Sequence, residues 1–207
     1  MLIRPALNEA DMDAVYRLTH DAYVALGYIQ PRPEHMLRHY MEIEGLPENM
    51  VVVAVDDGAI VGTVSITLDG PGGLHTDHDF AGACDAIRAE GRPIGAAWRI
   101  ITEPGHRATM ALVVELIRAA ITVFQHCGTA TGLCTFAPRH ERVYMRLLGF
   151  QTIARTDGVG AVNTAAVLMR GSVAEAMQRM VPPENPALAT LATERMRLIA
   201  ALRRAAA

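Results

Sequence analysis

Arg99 sits in the middle of an apolar run, between Trp98 and Ile100. A guanidinium in a strand that packs on both faces needs a partner, because an unpaired buried charge is strongly unfavourable. Two answers are open: an ion pair with Asp85 or Glu103, or a bidentate grip on the carboxylate of a substrate. Glu103 closes the same run just before Pro104 and Gly105. A carboxylate there either caps a turn in water or serves as a base. His75, Asp77, His78 and Asp79 are all zinc-ligand types. A His-x-x-His pair on a loop lacks an adjacent scaffold, so no metal is expected, and the segment reads as a polar loop over the mouth of a site. Arg139, Arg142 and Arg146 share one helix face at spacings i, i+3 and i+7. With Arg107 and Arg118 they form a basic patch that would steer an acidic partner.

Other residues narrow the setting in which this chemistry works. The chain of 207 residues is 51% hydrophobic and 20% charged, with a net charge of −3, which suits a globular fold and gives no reason to expect a nucleic-acid partner. Cys84, Cys127 and Cys134 are odd in number and have no C-x-x-C spacing, so idle thiols in a reducing cytosol are expected. Met1 to Leu7 do not read as a signal peptide, and no stretch approaches ~18 uninterrupted apolar residues. A cytoplasmic location with no membrane span is therefore the expectation.

The elements that must position these residues follow from periodicity and punctuation. Met12, Val15, Leu18, Ala22 and Leu26 recur at helical spacing behind Asn8 and before Gly27. A second helix is expected over 34–44, ended by Gly45 and Pro47. Residues 50–68 read as a hairpin closing at Asp56, Asp57 and Gly58. A short helical segment at 81–89, a strand at 96–102, a long helix at 109–124 and a strand at 130–136 come next. Pro138 starts a helix that ends before Gly149. Strands at 150–155 and 161–169 are joined by a Gly-rich turn at Asp157 to Gly160. Pro182, Pro183 and Pro186 read as a linker, and Leu188, Leu191, Leu198 and Leu202 as the apolar stripe of a terminal helix. The expected fold class is α/β, with a mixed central sheet of about six to seven strands flanked by helices and an added C-terminal helix. Residues 1–180 make the main domain, and 181–207 the linker and amphipathic helix.

Two segments carry a resemblance. Residues 80–99 read FAGACDAIRAEGRPIGAAWR, and residues 138–150 read PRHERVYMRLLGF. The first resembles the stretch of long-chain N-acyl amino acid synthases in which an aromatic, an Asp, an Ile-Arg pair and a Gly-Arg pair precede the central strand. The second resembles their Pro-Arg-His … Tyr … Leu-Gly-Phe helix. That family has the GNAT fold, whose element order this chain follows over residues 1–170, and is similar to the acyl-homoserine lactone synthases. The resemblance implies an N-acyltransferase that moves a medium or long acyl chain to the amine of a small polar acceptor such as an amino acid. It implies no tightly bound cofactor, only an acyl-thioester cosubstrate on acyl carrier protein or CoA. On these positions Glu103 would act as base, Arg99 would hold the acceptor, and Tyr144 would protonate the leaving thiolate. Ile101, Thr102, Gly105, His106, Arg107, Ala108 and Thr109 would line the donor groove, together with Phe136, Arg139 and His140.

Three departures from the family pattern set further expectations. Ala96 stands where the family carries a Glu, so the base would move to Glu103, and Ala96→Glu would restore it. The loop Pro104 to Thr109 has a single glycine, which disfavours the pyrophosphate of CoA. Met145 holds the usual tyrosine position, with Tyr144 one helical step of ~100° away. Because 96 and 103 differ by an odd number, a shared face requires a bulge between Trp98 and Glu103. Two other readings remain open: an acetyl-CoA-dependent N-acetyltransferase, and a catalytically silent GNAT-fold protein that binds an acyl ligand.

Overall fold

The computed structural model describes residues 1–158 and 164–205. The hairpin forms β2 (Asn49–Asp56) and β3 (Ala59–Leu68). Its turn residues Asp57 and Gly58 both have positive φ, 48° and 81°, the geometry that matches hairpin twist and that Asp and Gly tolerate. β1 (Leu2–Pro5) pairs outside β2. β4 (Ile94–Thr102), β5 (Thr131–Phe136), β6 (Gln151–Thr156) and β7 (Ala166–Ser172) complete a seven-stranded sheet of order β1-β2-β3-β4-β5-β7-β6. Every neighbouring pair is antiparallel except β4 and β5.

That parallel pair is short. It runs from Ile94↔Thr131 to Ala97↔Cys134. Beyond it β4 continues along β3 while β5 continues along β7, so the two strands part at the centre of the sheet. The expected bulge lies at the same place. Ser65 pairs with Trp98 and Thr63 with Ile101, so Arg99 and Ile100 together oppose Val64. Arg99 takes φ of 50°, a conformation that costs a non-glycine residue about 1–3 kcal/mol and persists only where the surroundings enforce it.

Helices cover both faces. α4 (Thr109–His126) lays Leu112, Leu116 and Val123 on Val52, Val64, Ile66 and Ala97. It has the length and hydropathy of a membrane span, yet half of it is buried inside the fold, and its Arg118 is paired with Glu115. α1 (Glu9–Ala25) is capped by Asn8, whose side chain accepts from the Asp11 N–H, and packs Leu18 and Ala22 against Ile101. α3 (Asp77–Arg88) puts Phe80, Cys84 and Ile87 over Ile94, Ala96 and Leu133. α5 (Glu141–Leu148) follows a 3-10 turn at Pro138–His140 and ends on Gly149 in the left-handed region.

Several boundaries differ from expectation. Only α2 (Met41–Glu44) of the expected 34–44 helix forms. His35 and Tyr40 have positive φ, 50° and 54°, which a continuous helix cannot contain. α3 begins at Asp77 and kinks at Phe80, β4 begins at Ile94, and β7 begins at Ala166; residues 159–163 of the expected turn and strand lie outside the described residues. α6 (Val173–Arg179), capped by the Ser172 hydroxyl, has no counterpart in the sequence reading. The third linker proline, Pro186, is the first residue of α7 (Pro186–Ala205). The buried face of α7 is Leu188, Ala192 and Ile199, docked on the α4 cluster, whereas Leu198 and Leu202 are 43% and 48% exposed. Leu188 and Leu191 of the expected stripe do pack on that cluster, whereas further along the helix Ile199 takes the inward position in place of Leu198 and Leu202.

Candidate active site

The parting of β4 and β5 opens a cavity of about 450 Å³. Its lining includes the apolar residues Ala22, Leu26, Ile101, Met110, Val113 and Phe136. A mutually packed aromatic and polar group, Tyr23, His39, Tyr40, His75, Trp98 and Arg99, also lines it. The bulge is what turns Arg99 inward there while leaving Trp98 on the same cavity wall.

Arg99 has its charge partner, and it is neither Asp85 nor Glu103. Its side chain is 1% exposed and forms a short ion pair, through Nη2, with Glu44 Oε1 at the end of α2. Nε and Nη2 also donate to Ser65 Oγ at 3.0 and 2.7 Å, and the guanidinium lies 4.6 Å over the Trp98 ring. Glu44 accepts a second bond from the Tyr16 hydroxyl at 2.8 Å. Burial, and then Glu44 itself, push the Tyr16 hydroxyl up to about 12, so it stays a donor. Asp85 is instead drawn to Arg88, which also clamps Asp69 and Asp77. One Arg99 nitrogen, Nη1, is buried without a partner.

His75 is the second buried group left incomplete. It is 2% exposed, its Nε2 lies 3.4 Å from Thr135 Oγ1, and its Nδ1 has no partner. Burial pushes the imidazole down to about 3 and that of its neighbour His39 to about 4, so both are neutral near pH 7. The expected His75–Asp79 polar cluster is therefore split. Asp77 faces Arg88, and His78 faces Glu42 at 3.0 Å on the surface. Among the described residues one group has metal-ligand geometry, His20, Asp21 and His35. Both nitrogens of His20 are already used, Nδ1 by Asp21 and Nε2 by the Arg32 N–H.

Of the other expected site residues, Ile101, Thr102, Glu103, Gly105 and Thr109 line the cavity from the β4 side. Phe136, His140 and Tyr144 line it from the β5 side. Tyr144 faces inward despite its one-step displacement. It is 6% exposed, stacks on Phe136 with centroids 3.6 Å apart, and burial raises its hydroxyl pKa. Met145 takes the outward position, 46% exposed. Glu103 is exposed at the cavity rim. His106, Arg107, Ala108 and Arg139 are absent from the cavity wall. His106 and Arg107 face Asp56 at 3.6 and 4.0 Å, and Arg139 donates to the Tyr28 hydroxyl at 2.7 Å. Ala96 is fully buried beside Leu74, Phe80 and Leu133. A glutamate there would have to bury its charge among apolar side chains, so Ala96→Glu is no simple restoration.

Sequence reading alone did not assign Glu44, Tyr16, Ser65, Tyr23, His39, Tyr40 or Thr135 to the site. They arrive from segments 34 to 83 residues from Arg99 along the chain, and none of them is marked by spacing.

A sheet split between its parallel central strands, a bulged β4, and a helix that starts just beyond it define an acyltransferase of the GNAT class. The relatives are in agreement. Residues 14–172 match the family model of the N-acyl amino acid synthase FeeM, and the chain belongs to that family. It is an N-acyltransferase. The solved structure of FeeM, an N-acyl amino acid synthase from uncultured soil microbes, superposes with a TM-score of 0.75 at 22% identity, covering 87% of this chain and 94% of that one. The acyl-homoserine lactone synthase LasI gives 0.65 at 16% identity over 86% and 92% of the two chains. A ribosomal-protein-alanine N-acetyltransferase from Brucella melitensis gives 0.57 at 17% over 83% and 99%. No curated protein sequence matches the chain significantly.

Proposed function

We propose that this chain joins a medium or long acyl chain, delivered as a thioester on acyl carrier protein or CoA, to the amine of an amino acid. The observation that carries this reading is Arg99 Nη1, a buried guanidinium nitrogen with no partner, on a residue that lines a cavity also walled by apolar side chains. A donor left unsatisfied in low dielectric favours an anionic ligand, and a carboxylate attached to the acceptor supplies one. The apolar lining suits an acyl chain. The N-cap of α4 makes no side-chain cap bond, and although the Thr109 N–H is taken by the His106 carbonyl, the positive end of this helix suits the carrier arm at the groove entrance. In this reading Glu103 at the rim takes the first proton from an entering ammonium, and Tyr144 protonates the departing thiolate. All three cysteines are free, in keeping with work in the cytoplasm.

The test uses the purified protein with dodecanoyl-CoA and acetyl-CoA against amino acids, their amides and the corresponding decarboxylated amines. Each buried methylene contributes about 0.8 kcal/mol, so four of them separate donors by roughly 10²-fold. Dodecanoyl transfer to amino acids, and much weaker transfer to amides and amines, is expected. Equal use of acetyl-CoA would favour an N-acetyltransferase. Acylation indifferent to the acceptor carboxylate would remove Arg99 from acceptor recognition.

A further inference from the structure

The family carboxylate is missing at Ala96, yet the same face of the sheet holds a different group one step further on. Ala96 and Leu133 are register partners across β4 and β5 and pack with Leu74. The next residues on that face are Trp98 and Thr135, the first positions after the strands part, and His75 sits on both. Its ring lies 5.5 Å from the Trp98 ring and 5.6 Å from the Tyr40 ring, and its Nε2 reaches Thr135 Oγ1. The imidazole therefore occupies the apex of the split, inside the cavity wall. A proton on Nε2, directed to Thr135, leaves Nδ1 as a bare acceptor with nothing in the protein to satisfy it.

We propose that His75 is the general base of acyl transfer, its Nδ1 taking the proton that the amine nitrogen loses as it attacks the thioester. The assignment rests on the amide-forming reading above. In the step, the amine nitrogen bonds to the thioester carbonyl carbon and the C–S bond breaks. The nitrogen's proton passes to His75 Nδ1. Tyr144 gives its proton to the thiolate, and solvent in the cavity returns the proton held by His75 to Tyr144. An amide and a thiol are the products, with no net change in protons. Burial keeps the imidazole neutral, and so able to accept a proton, before attack, and the amine nitrogen becomes more acidic once bonded to the carbonyl carbon. Glu103 acts earlier, on the ammonium, at the rim. The titratable groups around His75 are His39 and Tyr40 from the segment before α2, with Asp77 and His78 on α3. Asp77 is neutralised by Arg88.

The experiment follows thiol release and amide formation from dodecanoyl-CoA, with and without amino acid, for the wild type, His75→Gln, His75→Ala, Glu103→Gln and the surface control His78→Gln. Melting curves accompany each. His75→Gln should lose about 10²-fold or more in kcat with donor KM unchanged, a typical loss for a positioned base. The loss should persist as pH rises, whereas that of Glu103→Gln should shrink as solvent supplies free amine. Added imidazole should restore part of the His75→Ala activity, and His78→Gln should match the wild type. A His75→Gln kcat within fivefold of the wild type, or a folded His75→Ala that imidazole does not rescue, would overturn the assignment. Should the wild type acylate no amine, the amide-forming reading fails. The hydrolytic release of thiol then still tests His75, because water attacking the same carbonyl needs the same base.

Discussion

Removing the Glu44 carboxylate tests whether the Arg99 ion pair organises the acceptor end of the cavity. The Arg99 and Glu44 side chains are 1% and 7% exposed, so screening by solvent is small. In Glu44→Leu the guanidinium keeps only Ser65 Oγ and the rings of Trp98 and Tyr16, and the Tyr16 hydroxyl loses its acceptor. Breaking a buried pair by deleting one partner costs about 3–5 kcal/mol. A chain of this size shifts by about 2–4 °C per kcal/mol, which corresponds to a fall of roughly 6–20 °C in Tm. The double variant Glu44→Leu/Arg99→Met exchanges both charges for apolar groups and should be milder than the single, because no charge is then left stranded. Urea unfolding at neutral pH, read by tryptophan fluorescence from Trp98, measures both. A single variant within about 1 kcal/mol of the wild type, or a double variant no milder than the single, would refute the view that this pair is closed to solvent and mutually dependent.

Three further outcomes follow from other parts of the molecule. Tyr144→Phe keeps the stack on Phe136 but removes the hydroxyl, and should lower kcat by about 10²-fold if that group protonates the thiolate; a rate-preserving variant in steady-state assays would free Tyr144 from that role. Arg107→Glu and Arg139→Glu should each slow turnover with an acyl-carrier donor by about tenfold at low salt, the loss shrinking as salt rises. Unchanged rates at low salt would remove these arginines from carrier docking. The pH dependence of stability carries a signature of Asp77. Burial raises its pKa, but bonds from Arg88 and the Leu74 N–H outweigh that and leave it lowered. Its stabilisation is therefore present above the unfolded value of about 3.9 and lost as pH falls through the lower folded value. Arg88→Met should flatten that acid limb in melting experiments between neutral and acid pH.

The features legible in the sequence are local ones. Asn8 before a 3.6-periodic stretch specified α1, and Asp57–Gly58 between β-branched runs specified the hairpin, since caps and positive-φ turns act within a few residues. The odd spacing from 96 to 103 called for a bulge, and the register places one at Arg99 and Ile100. The segments at 80–99 and 138–150 together carried the resemblance to the family. Residues 34–40, bracketed by Pro33 and Gly45, read as part of a helix, yet run as non-helical chain with His35 and Tyr40 in the left-handed region, because packing of His39 and Tyr40 against Tyr23, His75 and Trp98 outweighs local propensity. α6 was hidden for the converse reason. It is one short segment whose apolar residues Val173 and Ala176 acquire meaning only under α4 and α5.

By itself, then, the sequence determined most of the strands and helices and their order, though not α6 or the course of residues 34–40, and the residue types that mark an acyltransferase, because these depend on contacts between near neighbours. Only the tertiary structure decided what Arg99 and His75 do. Arg99 meets Glu44, and His75 meets Trp98 and Thr135, across separations of 55, 23 and 60 residues. The bulge, the parting of β4 and β5 and the course of residues 34–44 bring these groups together. Burial then turns an arginine and a histidine of ordinary appearance into a donor and an acceptor that the protein leaves unsatisfied.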